Sequence, residues 1–140
     1  MKFSSNASLI LVAAILLAAC SAKSSDEQQV RELVASAEKA AEARDTADVL
    51  ELVTDDYSDA QGFDKPALQN FLRVYFLQHP KIELLVSIEK LEFPVPGLAQ
   101  AQISVATVGV GDANLQHLNV ELRKSGADWR VSRADRLQNP

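Results

Sequence analysis

The sequence predicts an α+β domain in which three helices precede a four-stranded antiparallel sheet. Three observations carry this reading. Apolar residues recur at helical spacing in three windows ahead of Pro80, and from Lys81 onward they alternate with polar ones. Short segments rich in Gly, Pro or Asp then divide the alternating region into four strands. Helices gathered before the strands, rather than interleaved with them, mean α+β.

The first helix begins at Ser25-x-x-Gln28, which reads as a capping box. Asp26 and Glu27 place negative charge in its first turn, where the helix dipole favours it. Val30, Leu33, Val34, Ala37, Ala40 and Ala41 follow at helical spacing, and the helix is expected to run to about Arg44. The many alanines predict close packing of this face against a neighbour. Asp45 or Thr46 caps a short second helix carrying Val49, Leu50, Leu52 and Val53, ended by Thr54-Asp55-Asp56. Tyr57 to Gly62 reads as irregular or briefly extended. The third helix has the clearest start. Asp64 is its N-cap, Pro66 sits where a missing N–H costs little, and Phe63 and Leu68 are spaced as a hydrophobic staple. Leu68, Phe71, Leu72, Tyr75 and Phe76 form one apolar stripe, expected to be core, and His79-Pro80 stops the helix.

In the first strand Ile82, Leu84, Val86 and Ile88 share one phase, whereas Leu91, Phe93 and Val95 take the other. Such a slip predicts a β-bulge. Pro94-Val95-Pro96-Gly97 is a turn. The second strand carries Ala99, Ala101, Ile103 and Val105 and is expected to slip phase to Val108 and Val110. Gly109 to Asn114 is a loop. Leu118, Val120 and Leu122 mark the third strand, Ser125-Gly126-Ala127-Asp128 a hairpin turn, and Trp129 and Val131 the fourth strand.

The chain has 140 residues, a net charge of −5, one Cys and two His. That length holds one domain. A lone Cys excludes an internal disulfide and a Cys-rich zinc site, and the acidic balance argues against nucleic acid as a partner. Lys2 followed by the 11-residue apolar run Leu9 to Ala19 has the length of a signal-peptide core and is too short to span a bilayer. The segment Leu17-Ala18-Ala19-Cys20 resembles the bacterial lipobox. The resemblance implies a signal peptide over 1–19, lipidation of Cys20 with palmitate among its acyl chains, and a short tether over 20–25. Ser21 after the Cys then implies the outer membrane, facing the periplasm. The folded domain occupies 26–140.

Within that domain the order of elements resembles the nuclear transport factor 2-like fold, also called cystatin-like or polyketide-cyclase-like. The residues that carry the resemblance are the Ala-rich first helix, Leu52-Val53-Thr54-Asp55-Asp56-Tyr57, Gly62-Phe63-Asp64-Lys65-Pro66 and the closing Trp129-Arg130-Val131. It implies three helices packed on a curved sheet. It does not choose among enzymes, binding modules and scaffolds, since one fold hosts all three.

The catalytic inventory is thin. Isomerases and cyclases of this fold use a pocket carboxylate as base, and Asp59 is the nearest match by position. A base of that kind also needs a donor for the enolate. The resemblance would supply it from a Tyr in the first helix, which this chain lacks, leaving Tyr57 or Tyr75. The plainer reading makes Asp59 a surface turn residue. Asp55, Asp56, Asp59 and Asp64 fail the calcium-loop pattern, and no cofactor or metal is expected. His79 fits a helix C-terminus, His117 the solvent side of a strand, and Trp129 a core or dimer interface. Residues 26–64 hold 12 acidic and three basic side chains, whereas 65–140 are net +2. Solvated helix faces and cross-strand pairs of the basic residues with Glu121, Asp128 and Asp135 account for most of this. The expectation is a lipid-anchored envelope protein with a non-catalytic binding or scaffolding domain, the alternative being an isomerase- or cyclase-like enzyme. Its partners would be the membrane through Cys20, a small apolar ligand or an envelope protein, and a second copy in a weak homodimer.

Overall fold

The computed structural model describes residues 25–109 and 114–138. The signal segment, Cys20, most of the tether and Val110 lie outside the described residues. Three helices, α1 (Asp26–Glu42), α2 (Thr46–Glu51) and α3 (Lys65–Gln78), precede four strands, β1 (Glu83–Val95), β2 (Leu98–Val108), β3 (Asn114–Ser125) and β4 (Asp128–Arg136). The strands form one antiparallel sheet in the order β1-β2-β3-β4.

Each helix starts where a short polar side chain can take an orphan backbone N–H. Ser25 accepts from the Gln28 N–H, Asp45 from Asp48 and Asp64 from Ala67. The Ser25 box is not reciprocal, because the Gln28 amide donates to Glu32 instead. Helix α1 stops two residues before Arg44, which adopts the left-handed conformation at φ 55°. Its guanidinium then donates to the Phe76 carbonyl at 3.3 Å, tying the α1–α2 corner to the end of α3.

The core lies between α1 and the sheet. Val30 and Leu33 meet Ala99, Ala101, Ile103, Val120, Leu122 and Trp129, all buried. These strand residues share one face because side chains alternate along a strand. Trp129 is a core residue. Its indole N–H donates to Asp26 Oδ1 at 3.1 Å, and Phe93 meets its ring edge-on at 5.8 Å.

Three expectations are corrected. The α3 stripe is not closed core: only Phe76 is buried, and Phe71 is 46% exposed. Helix α3 packs chiefly on α2, and Phe71 and Tyr75 join Phe63 and His79 in a row of ring contacts along its side. The phase slip in β2 does not occur. Its register with β3 is unbroken from Leu98 to Thr107, and Val108, 46% exposed, is simply an outward position. The bulge in β1 falls between Ile88 and Lys90 as its phase slip requires. A second break, between Glu121 and Leu122 against β4, leaves Ser132 as the extra residue, buried with its hydroxyl donating to the Glu121 carboxylate at 2.9 Å. Finally, the basic end of the sheet pairs mainly with the acidic helical half of the same chain. Lys124 meets Asp26 and Arg123 meets Asp56, each at 2.8 Å, while Arg133 pairs with Asp135 two residues along its own strand rather than across the sheet.

Candidate functional site

An apolar cavity of about 200 Å³ lies between α1 and the sheet. Helix periodicity brings Leu33, Val34, Ala37 and Glu38 to its roof. Alternate positions of each strand supply its floor: Leu84 and Val86, Ile103 and Val105, Leu118 and Val120, and Val131 with Ala134. Among the described residues, eleven of the twelve that line it are aliphatic. Among general cases, an aliphatic cavity of about 150 Å³ stays dry and admits benzene. The exception in the wall is Glu38. It is partly buried and makes no hydrogen bond or ion pair among the described residues. A carboxylate at the edge of an aliphatic space can accept a hydrogen bond from, or pair with a cation on, a molecule whose remainder is apolar.

The predicted site residues lie elsewhere. Tyr57 is buried behind the cavity wall, and its hydroxyl donates to Asp59 Oδ2 at 2.8 Å and lies 3.5 Å from the Ala134 carbonyl. Burial, with the Asp59 carboxylate beside it, pushes the phenol well above its ordinary range, so it stays a donor and not an acid. The other Asp59 oxygen accepts from the backbone N–H groups of Gln61 and Phe63 at 2.9 and 3.0 Å. Asp59 thus shapes the turn into α3 and does not face the cavity. Asp135 secures the same turn from β4 by accepting from the Ala60 N–H at 2.7 Å. Burial raises its carboxyl, but the Ala60 and Arg133 hydrogen bonds outweigh that and hold it below the usual carboxylate range. Tyr75 is separate from this pair, stacked between Phe71 and His79 on α3. Tyr57 and Asp59 are therefore brought together, Tyr75 is not, and none of the three lines the cavity. Cys20 lies outside the described residues.

Asp55, Asp56 and Asp64, the other carboxylates of the calcium-loop comparison, are committed to structure. Asp55 pairs with Lys65 at 3.1 Å, Asp56 with Arg123, and Asp64 caps α3. Among the described residues no three His, Cys, Asp or Glu side chains gather where a metal ion could sit, and no helix is long and apolar enough to cross a membrane. His117 faces the outer side of the sheet, with Nδ1 3.6 Å from Glu89. His79 closes α3, its N–H donating to the Tyr75 carbonyl.

Glu38 was missed by sequence reasoning, although its position carried the signal. It stands four residues after Val34 and eight after Val30, on the line of the apolar stripe.

No family model and no curated protein matches the chain. Solved structures do. A Nostoc punctiforme protein of unknown function with a cystatin-like fold superposes with a TM-score of 0.68 at 16% identity, over 82% of this chain and 92% of that one. A Shewanella oneidensis NTF2-like protein of unknown function gives 0.66 at 12%, over 80% and 98%. A third, NTF2-like and also of unknown function, from Pseudomonas putida, gives 0.67 at 18%, over 81% and 86%. At these identities the likeness speaks to architecture alone, and together with the helix order and the four-stranded sheet it is decisive there: the chain has the cystatin-like, NTF2-like fold.

Proposed function

We propose that this is a lipid-anchored protein of the bacterial cell envelope, held through Cys20 at the outer membrane and facing the periplasm. Its folded domain binds a small, largely apolar molecule without chemically changing it. The observation that carries the binding reading is the aliphatic cavity under α1 with Glu38 as its only ionisable wall residue among the described residues. The ligand class follows from that wall: a ring or short branched chain of a size the cavity admits, bearing one hydrogen-bond donor or cation. Asp59 is a poor candidate for a base, since both its oxygens already accept hydrogen bonds and it lies off the cavity. The bulges in β1 and at Ser132 in β4 would bend the sheet around the cavity.

The domain would also associate weakly with itself or with an envelope protein through the outer face of the sheet. The middle of that face is polar, with Lys90, Gln102, Asn119 and Asp135 in one cross-strand row and Glu92, Gln100, Glu121 and Arg133 in the next. A dimer there should dissociate on dilution, and a species that stays dimeric at nanomolar concentration by light scattering would contradict it.

Indole, a bicyclic ring with one N–H donor, is a suitable probe of the cavity. Calorimetric titration should show saturable binding to the wild type. Ala134→Leu, which fills the floor, should abolish it while leaving the circular dichroism unchanged. Equal binding by the two proteins would overturn the assignment.

A further inference from the structure

We propose that the tip of the β1–β2 hairpin, Phe93 to Pro96, is the face on which the domain rests against the lipid surface. This rests on the anchor reading above. Phe93, Pro94, Val95 and Pro96 are consecutive, apolar and exposed, with Phe93 at 39% and Val95 at 53%. The register breaks between Glu92 and Val95, so Phe93 and Pro94 bulge out of the ladder before Val95 pairs with Leu98 and Gly97 closes the turn at φ 80°. Two of the four are prolines, so seating this tip among lipid headgroups strips water from fewer backbone donors than an ordinary turn would.

The same end receives the chain from the membrane. Ser25 caps α1, and Asp26 beside it holds both Lys124 and the Trp129 indole. Trp129 in turn meets Phe93, and the Lys124 N–H donates to the Gly97 carbonyl at 2.9 Å. The first turn of α1 and the exposed tip are thus joined by direct contacts. The five residues 21–25 reach at most about 18 Å when fully extended, which keeps this end the nearest to the bilayer. Charge fits as well. Arg123 and Arg130 stand directly opposite each other across β3 and β4, an unfavourable pairing. Arg123 has Asp56, whereas Arg130 is exposed with no partner among the described residues. An anionic headgroup would supply one. The other exposed apolar set, Leu85 and Leu115, flanks Ala106, eight residues along β2 from Leu98 and about 26 Å from the tip end.

Trp129 is the only tryptophan, which gives a native reporter one ring away from the tip. The full chain is purified from membranes and reconstituted in phosphatidylethanolamine–phosphatidylglycerol vesicles, with and without a nitroxide-headgroup lipid. The nitroxide should lower Trp129 emission by about twofold, since an indole this close to the interface lies within its reach. Val95→Asp should restore the emission while the protein still floats with the vesicles, and Leu85→Ser with Leu115→Ser should leave the quenching as it is. A wild type that floats but is not quenched overturns the proposed face and leaves the anchor standing. Relief of quenching by the Leu85 and Leu115 changes, with none from Val95→Asp, overturns it in favour of the opposite end. A chain that does not float overturns the anchor and this proposal with it.

Discussion

Replacing Glu38 with Leu separates a structural carboxylate from a ligand-reading one. Glu38 lies partly buried against Val34 and the aliphatic floor, with no partner among the described residues. Burying a Leu side chain completely contributes about 1.5–3 kcal/mol, so partial burial at this edge gives roughly 1 kcal/mol. With a urea slope of about 1–3 kcal/mol per molar for a small domain, the midpoint should rise by roughly 0.3–1 M. The same change removes the acceptor at the cavity edge, so indole affinity should fall as stability rises. That opposition is what a site kept for binding at the expense of stability produces. Urea titration with circular dichroism reads the first effect and calorimetry the second. A fall in midpoint would show that Glu38 supports the fold. An unchanged indole affinity would show that it does not read the polar end of a ligand.

Three further outcomes follow, two from the structure and one from the lipobox resemblance. Leu122→Ala, at a fully buried site, should cost about 2–5 kcal/mol, whereas Phe71→Ala should cost roughly half the 3–5 kcal/mol usual for a buried Phe, because the ring is 46% exposed; urea midpoints compare them directly. Hydrogen bonds from Lys124 and then Trp129 hold the Asp26 carboxyl below its ordinary value. A depressed carboxyl stabilises the fold above its unfolded pKa of about 3.9 and loses that effect as the pH falls through its folded value. Stability plotted from pH 5 downward should therefore fall less steeply for Asp26→Asn than for the wild type, and parallel curves would refute the pairing. Cys20→Ser should abolish palmitate labelling and leave the precursor uncleaved at this site; labelling that persists would exclude Cys20 as the lipid carrier.

What the sequence revealed and what it hid divide along the range of the forces involved. The N-caps Ser25 and Asp64 were legible, and Asp45 as one of two neighbours, because all three bond to backbone groups three residues away. So was the bulge near Ile88, since a change of phase records which side chains must face the core. The α3 stripe misled for a physical reason. Periodicity groups Leu68, Phe71 and Tyr75 on a face, but what covers that face is set by tertiary packing, and α3 sits on α2 more than on the sheet. The bulge at Ser132 had a faint trace in the shift from odd Trp129 and Val131 to even Ala134, obscured because the extra residue is small and polar. For the site, Asp59 is a match by position along the chain and Tyr57 a stand-in for the donor that the first helix lacks. Their hydrogen bonds, to each other and to the turn, direct them away from the cavity. Glu38 was passed over because a charged residue on a helix is usually solvated. A carboxylate on the apolar line of Val30 and Val34 is the pattern that marks it.

The central claim, that the space under α1 is a ligand site, is tested most directly by locating a bound probe. With methyl-labelled protein and indole, intermolecular NOEs should connect the indole ring protons to the methyl groups of Leu33, Val105 and Leu118, with the indole N–H toward Glu38. NOEs confined to Leu85 and Leu115 on the outer face, or none at saturating indole, would contradict the account.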